Sequence, residues 1–150
     1  MYKNILVPID GSRTAQRGLH EAIALAHTPG ARLKLLFVLD AFPLKVDITS
    51  AYSFEPVRDS MKQYGENVLA KATRLATDQG VDAEGLLRET THGRVADVVL
   101  DQARELHCDL IVMGTHGRRG FSHLVLGSDA ELVVRGSVVP VLLVREFEAA

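Results

Sequence analysis

The chain has 150 residues, of which 47 % are hydrophobic and 5 % aromatic, and its 17 Lys and Arg against 19 Asp and Glu leave a formal net charge of −2. This length predicts one domain over residues 1–150, while the near-neutral charge and the few aromatic side chains argue against a nucleic-acid binder. Cys108 is the single cysteine, which excludes an internal disulfide. No apolar run approaches the roughly 20 residues of a membrane helix and no secretory leader is evident, so we expect a cytoplasmic protein without membrane contact.

The first half of the chain predicts strands and helices in alternation. A short apolar run over 4–9 predicts a buried strand. Apolar residues at helical spacing predict a helix over 12–26, and a second apolar run predicts a strand over 32–39. Residues 40–55 predict an irregular connection, after which a long amphipathic helix begins at Pro56 and ends near Gly80.

The second half continues the alternation. Strands are predicted over 82–90, 109–115 and 139–145, helices over 95–106 and 128–135, and a glycine-rich loop over 116–127. Alternating strands and helices favour a parallel sheet with helices packed on both faces. The sequence therefore predicts a single doubly wound α/β domain with a five-stranded sheet.

The segment after the fourth predicted strand carries the strongest functional signal. Gly114 and Gly117 follow that strand directly, and Gly127-Ser128 begins the next helix, where Ser128 and Glu131 fit a capping box. The loop between them carries four basic or ionisable side chains, His116, Arg118, Arg119 and His123. Each residue alone fits ordinary turn and capping chemistry. Together, close-approaching glycines, basic residues and a helix N-terminus predict a phosphate-binding loop.

The spacing Gly114-x2-Gly117-x9-Gly127-Ser128 resembles the nucleotide signature of the universal stress protein family, and the segments 3–12 and 139–145 resemble that family's first and last strands. The resemblance covers the whole chain. It implies strand order 3-2-1-4-5, a homodimer formed through the last strand, and ATP, or else ADP or AMP, in the cleft where the strand order reverses.

The resemblance also assigns roles around the base and the sugar. It implies that Asp10 hydrogen-bonds the ribose hydroxyls and helps to organise a Mg²⁺ ion through the bound nucleotide. It implies that Val38 holds the adenine edge through its backbone, and that Pro8 and Ile9 line the base pocket. No catalytic residue is implied.

On the other side of the cleft, the resemblance implies that Met113 and Gly114 pack beside the ribose and the adenine. The residues that it places around the phosphates, mainly through backbone N–H groups, are Gly117, Arg118, Gly127, Ser128 and Asp129.

Asp129 departs from the family pattern, in which the residue after Gly-Ser is usually small or apolar. A carboxylate there would compete with phosphate for the same helix N-terminus, and two unit charges about 4 Å apart at an effective dielectric of about 20 repel by about 4 kcal/mol. A Mg²⁺ ion between them would reverse that sign. The simpler expectation is a first-turn residue that points to solvent.

Three functions remain open at this point. The first is a dimeric nucleotide-binding regulatory or stress-response protein. The second is a weak Mg²⁺-dependent ATPase or phosphotransferase that uses Asp10, although the Walker A sequence and the Rossmann G-x-G-x-x-G are both missing. The third is a ligand-free dimeric interaction module. As the last strand of a 3-2-1-4-5 sheet, the apolar segment 139–145 would be an edge strand, which has to be paired with a second copy or covered by the 40–55 segment or the C-terminal tail.

Overall fold

The computed structural model describes residues 1–41, 54–90, 92–116 and 126–146. The elements, in chain order, are β1 (Asn4–Pro8), α1 (Arg13–Leu25), β2 (Arg32–Asp40), α2 (Phe54–Asp78), β3 (Asp82–Thr90), α3 (Val95–Glu105), β4 (Leu110–Gly114), α4 (Ser128–Gly136) and β5 (Val141–Val144). Most of the predicted boundaries agree within one or two residues. The predicted connection over 40–55 lies largely outside the described residues, and it is shorter than predicted by one residue at its start and two at its end, because Asp40 still belongs to β2 and α2 begins at Phe54.

The five strands form one parallel sheet in the order β3-β2-β1-β4-β5, which confirms the predicted topology. In register, Pro8 of β1 lies beside Leu36 of β2, and Leu6 lies beside Ile111 of β4. After β1, the chain adds β2 and β3 on one side of that strand and then crosses to its other side to add β4 and β5. In such a sheet the reversal between β1 and β4 leaves a crevice at the carboxyl ends of these strands.

Successive side chains of the central strands enter two separate apolar layers, as the two faces of a parallel sheet require. One layer joins Ile5 and Val7 of β1 to α1 and α2. The other layer joins Leu6 of β1 and Ile111 of β4 to α3 and α4. Helices thus cover both faces, and Cys108 is buried in the second layer, as expected of an inert core thiol.

The two edges of the sheet differ in chemistry. At the β3 edge, charged side chains form ion pairs, including a two-fold hydrogen bond between Arg58 of α2 and Glu89 with distances of 2.8 and 2.6 Å. At the β5 edge, Leu142 is 39 % exposed and Val138, just before the strand, is 86 % exposed. The β5 edge is therefore the apolar one. Within the described ranges, no helix has the length and apolar character needed to cross a membrane.

Candidate functional site

The turn that follows β1 fixes a carboxylate at the crevice. Asp10 accepts a hydrogen bond from the backbone N–H of Ser12 at its Oδ1 atom over 2.9 Å. Between them Gly11 adopts a φ of +84°, a left-handed conformation that favours glycine, and a Cβ atom here would overlap the hydroxyl of Tyr64. Ser12 then caps α1, since its Oγ accepts the N–H of Ala15 over 3.2 Å. Asp10 is thus held in one orientation beside the N-terminus of α1.

The end of β2 presents backbone hydrogen-bonding groups to the same space. The hydrogen bonds from Arg32 N–H to Lys3 C=O (2.9 Å) and from Ile9 N–H to Leu36 C=O (2.8 Å) show that the even-numbered residues of β2 direct their backbone groups toward β1. Alternate residues of a strand direct these groups to the same side. Because β1 ends at Pro8, the N–H and C=O of Val38 point into the space beyond the end of that strand.

Gly114, the last residue of β4, brings α1 against the sheet. A Cβ atom on Gly114 would lie 2.8 Å from the carbonyl carbon of Thr14 and 3.0 Å from the backbone nitrogen of Ala15. Real Cβ atoms need more room than this, so only glycine allows the approach. Gly18, one turn later in α1, faces the same contact at an ordinary distance of 3.5 Å from the nitrogen of Gly114.

Two hydrogen bonds join the residues after β4 to two helix N-termini. Thr14 of α1, which is buried, donates its hydroxyl to the carbonyl of His116. Gly127 donates its N–H to the carbonyl of Thr115 over 2.7 Å. A Cβ atom on Gly127 would lie only 2.9 Å from that carbonyl oxygen. The N-termini of α1 and α4 therefore meet at the carboxyl end of β4, and each leaves backbone N–H groups there that have no partner within its own helix.

The start of α4 differs from the predicted capping box. The carbonyl of Gly127 accepts the N–H of Glu131 over 3.0 Å, which makes Gly127 the N-cap residue, and no side chain caps the helix there. Ser128 is instead the first helical residue and is exposed. The prediction that Ser128 is the N-cap is therefore wrong by one position. The residue before it, Gly127, both caps the helix and bonds to the carbonyl of Thr115.

Asp129 does not simply point to solvent, which corrects the expectation from the sequence. The residue is half-buried in the first turn of α4. Burial raises the pKa of this carboxyl, and the charges of Asp40 and Asp10 raise it further, whereas the Ala96 N–H and Arg94 lower it. The pKa of Asp129 therefore responds to the carboxylates of Asp10, after β1, and Asp40, at the end of β2.

The structure brings most of the predicted residues together at one edge of the sheet. Ile9 and Met113 are buried at the ends of β1 and β4, with 5 and 7 % exposure. Predicted residues that lie at this edge are Pro8, Ile9, Asp10, Val38, Met113, Gly114, Gly127, Ser128 and Asp129. Gly117 and Arg118, with Arg119 and His123, lie outside the described residues. Among the residues that are described, no group of three His, Cys, Asp or Glu side chains could hold a metal ion.

Three further residues belong to this edge and were not assigned to the site from the sequence. Thr14 ties α1 to the segment after β4, Asp40 acts electrostatically on Asp129, and Tyr64 of α2 lies against the Gly11 turn. The position of Asp40 at the end of a predicted strand was the available signal for that residue. Thr14 and Tyr64 looked like ordinary helix residues.

This arrangement is chemically suited to a ligand with a planar polar ring and an anionic group. Backbone donor and acceptor groups at Val38 suit the edge of a ring. The fixed carboxylate of Asp10 suits hydroxyl donors. The paired N-termini of α1 and α4 suit an anion, since each carries the positive end of a helix dipole.

The model of the universal stress protein family matches residues 1–145 of the chain. A universal stress protein of Thermus aquaticus, named for its place in the QAH/OAS sulfhydrylase 3′ region, is 37 % identical over 145 residues, which is 97 % of this chain and all of that protein.

Solved structures share the fold. The structure of the hypothetical protein MJ0577 superposes with a TM-score of 0.88 at 26 % identity and covers 99 % of both chains. A universal stress protein solved in complex with cAMP superposes with a TM-score of 0.70 at 26 % identity, covering 95 % of this chain and 97 % of that one. An adenine nucleotide is therefore a ligand of a protein similar to this chain.

Proposed function

This chain belongs to the universal stress protein family, and on that premise we propose that it binds an adenine nucleotide in the crevice at the carboxyl ends of β1, β2 and β4. The chain acts in this proposal as a dimeric cytoplasmic regulator in the response to stress. Turnover of the nucleotide is not needed for this role, in which binding itself would change the surface that a partner meets. The similar protein in complex with cAMP supports this class of ligand.

The observation that carries the proposal is the meeting of two helix N-termini at the end of β4. Thr14 and Gly127 hold the N-termini of α1 and α4 against the carbonyl groups of His116 and Thr115. The resulting N–H groups suit a phosphate. We place the phosphates of the nucleotide there, beside Gly127, Ser128 and Asp129, with Gly117 and Arg118 of the preceding loop as further contacts.

The base and the sugar occupy the side of β1 and β2 in this proposal. The N–H and C=O of Val38 pair with the adenine edge, Pro8 and Ile9 line the base, and Asp10 accepts hydrogen bonds from the ribose hydroxyls. A carboxylate already oriented by the N–H of Ser12 loses little freedom on binding. Met113 and Gly114 close the opposite side.

ATP, ADP and AMP all carry the base, the ribose and the phosphate that this arrangement would bind, and ATP is the nucleotide that we favour for this chain. A Mg²⁺ ion would enter with the nucleotide, because Mg²⁺ prefers phosphate oxygens together with one or two carboxylates. Asp10 is the carboxylate that we assign to it. In that role the ion would reduce the charge of the phosphates beside the carboxylates of the crevice.

The first test is to purify the protein without added nucleotide, denature it and identify the released small molecules by chromatography and mass spectrometry. We expect ATP, ADP or AMP at about one per chain. The stripped protein is then titrated with each nucleotide in a calorimeter, and incubation of Mg-ATP with the protein measures any phosphate release. An empty protein that also fails to bind in the titrations would refute the proposal and favour the ligand-free dimeric module.

A matched pair of variants locates the ligand. Asp10→Asn removes the charge but keeps an oxygen for the N–H of Ser12, and we expect it to weaken adenosine binding by at least about tenfold, the lower end of the range for a hydrogen bond to a charged group. The control is Asp109→Asn, because Asp109 also accepts backbone N–H groups, from Lys3 and Asn4 at 2.8 and 3.0 Å, but at the opposite end of the sheet. Equal effects of the two variants would place the ligand elsewhere.

We further propose that the β5 edge, from Val139 to Arg145, pairs with the same edge of a second copy. Leu142 on this edge and Leu25 at the end of α1 are exposed to nearly the same extent, 39 and 38 %. In sedimentation velocity we expect a dimer for the wild-type protein and for Leu25→Lys, and a monomer for Leu142→Lys. A monomeric wild-type protein, or a dimer that survives Leu142→Lys, would contradict this interface.

A further inference from the structure

Tyr64 of α2 packs against the turn formed by Asp10, Gly11 and Ser12, called here the Asp10 turn. A Cβ atom on Gly11 would overlap the hydroxyl of Tyr64 and would lie 3.1 Å from the Cζ atom of the same ring and 3.4 Å from the Cγ2 atom of Val68. We propose that Tyr64 is a positioning residue that holds the Asp10 turn in place, so that the site selects nucleotides carrying both ribose hydroxyls. This inference rests on the proposed function and names the part of the ligand that the site distinguishes.

The carboxylate of Asp10 needs support from outside its own turn. The hydrogen bond from the N–H of Ser12 fixes the carboxylate within the turn, but it moves with the turn. Gly11 between them has a φ of +84°, and glycine has more backbone freedom than any other residue. The position of the carboxylate therefore depends on what packs against Gly11, and Tyr64 and Val68 of α2 supply that contact.

Tyr64 is itself held by the core of the protein. Its ring meets the buried ring of Phe37 in β2 edge to face, with centroids 6.1 Å apart and an angle of 68° between the planes, an arrangement that aromatic pairs prefer. The next residue, Gly65, lets α2 approach β2 closely, since a Cβ atom there would lie 2.6 Å from the Cδ1 atom of Phe37. Contacts thus run from β2 through Tyr64 to the Asp10 turn.

A carboxylate held in place distinguishes ligands better than a mobile one. Hydrogen bonds from hydroxyls to carboxylates are short and charge-assisted, and they weaken steeply when their geometry degrades. A nucleotide that lacks the ribose hydroxyls gains nothing from Asp10, whether the turn is held or loose. Loosening the turn should therefore weaken the binding of ribonucleotides and leave the binding of their dideoxy analogues unchanged.

The experiment compares AMP with its 2′,3′-dideoxy analogue, which carries the same base and phosphate without the two hydroxyls. Calorimetry measures both affinities for the wild-type protein, Tyr64→Leu and Tyr64→Phe, and urea unfolding checks that each variant is folded. Tyr64→Phe keeps the ring against Phe37 and removes only the hydroxyl that touches Gly11. The matched control is Tyr2→Leu, because Tyr2 is exposed to nearly the same extent as Tyr64, 36 against 38 %, and precedes the amino end of β1.

We expect the wild-type protein and Tyr2→Leu to prefer AMP over the dideoxy analogue by at least about tenfold, the lower end of the range for a hydrogen bond to a charged group. Tyr64→Leu should reduce this preference to less than about threefold, and Tyr64→Phe should reduce it by at least about twofold. Neither variant should change the affinity for the dideoxy analogue. If Tyr64→Leu does not fold, Tyr64→Phe alone decides the outcome.

A second comparison tests whether Tyr64 acts through Asp10. In the Asp10→Asn background, adding Tyr64→Phe should change the affinity for AMP by less than about 1.5-fold, because the group that it positions has already lost its charge. A loss as large as in the wild-type background would overturn the positioning role.

The ligand comparison has outcomes that separate this inference from the proposed function. Equal losses for both ligands in the Tyr64 variants, no loss in either variant, or a wild-type protein that binds the two ligands equally would overturn the positioning role while leaving nucleotide binding in place. A wild-type protein that binds neither ligand would refute the proposed function itself, and the ribose selectivity with it.

Discussion

Substituting Gly114 by Ala tests whether the close contact between β4 and α1 builds the crevice. The added Cβ would lie 2.8 Å from the carbonyl carbon of Thr14, 2.9 Å from its Cβ and 3.0 Å from the nitrogen of Ala15. Carbon atoms pack best at about 3.5–4.0 Å, and these neighbours are mainly backbone, which cannot rotate away. The start of α1 would have to retreat by about 0.5–1 Å to restore that spacing.

That retreat should cost stability and binding together. Overpacking of a buried contact typically destabilises by about 1–3 kcal/mol, and we expect Gly114→Ala to lie in the upper half of that range because the contacts are with backbone. The displaced end of α1 also carries Thr14, which bonds to the carbonyl of His116, and Ser12, which orients Asp10. Nucleotide affinity should therefore fall as well.

Gly18→Ala is the matched control, since Gly18 faces the same contact from the helix side. Its added Cβ would meet Gly114 at an ordinary 3.5 Å, and alanine in a helix is favoured over glycine by about 0.5–1 kcal/mol. Urea unfolding followed by circular dichroism should therefore rank Gly18→Ala at or above the wild type and Gly114→Ala well below it. A Gly114→Ala protein as stable as the wild type, or equal losses for both variants, would refute the reasoning.

Three further predictions concern single groups. Thr14→Val should destabilise by about 1–2 kcal/mol in urea unfolding by leaving the carbonyl of His116 without this donor, whereas Thr28→Val should have little effect because that hydroxyl makes only a long 3.5 Å bond. Gly127→Ala should weaken nucleotide binding in a titration, because the added Cβ would lie 2.9 Å from the oxygen of Thr115. Gly136→Ala should leave binding unchanged, because its Cβ would meet only the side chain of Leu100 at the other end of α4. Burial raises the pKa of Cys108 from 9.0 to about 11, so the folded state holds this proton more tightly and stability falls as pH rises from 9 to 11. Urea unfolding with reductant at pH 8 and pH 10.5 should show a steeper loss for the wild type than for Cys108→Ala, and equal slopes would show that the thiol ionises freely in the folded protein.

The strand order could be predicted because the signals that determine it are local or come from the family resemblance. The run 109–115 is almost entirely apolar, as a strand covered on both faces must be, and the glycines that follow it allow α1 and α4 to approach the end of β4. The spacing Gly114-x2-Gly117-x9-Gly127-Ser128 pointed to the same edge of the sheet. Asp10 and Val38 lie at the ends of neighbouring strands, so the topology brings them together.

The details that failed depend on partners distant in sequence. Asp129 was expected to face solvent because its own helix gives no other indication, whereas the folded chain leaves it half-buried. The N-cap of α4 is Gly127 rather than Ser128, and the N–H of Gly127 bonds to the carbonyl of Thr115, a partner twelve residues earlier. Tyr64 has the spacing of a core residue, but its hydroxyl lies against Gly11. Such contacts arise from packing between elements, which the periodicity of a single helix does not encode.

Mapping the ligand onto the backbone amides tests the central claim most directly. A titration of the ¹⁵N-labelled protein with AMP, followed by amide NMR, reports each contact separately. The account predicts saturable shifts at the end of β1, at Val38 in β2, at Gly114 and in the first turn of α4, with Cys108 and Asp109 at the opposite end of the sheet unchanged. Shifts confined to another surface, or none at saturating AMP, would contradict nucleotide binding in the crevice.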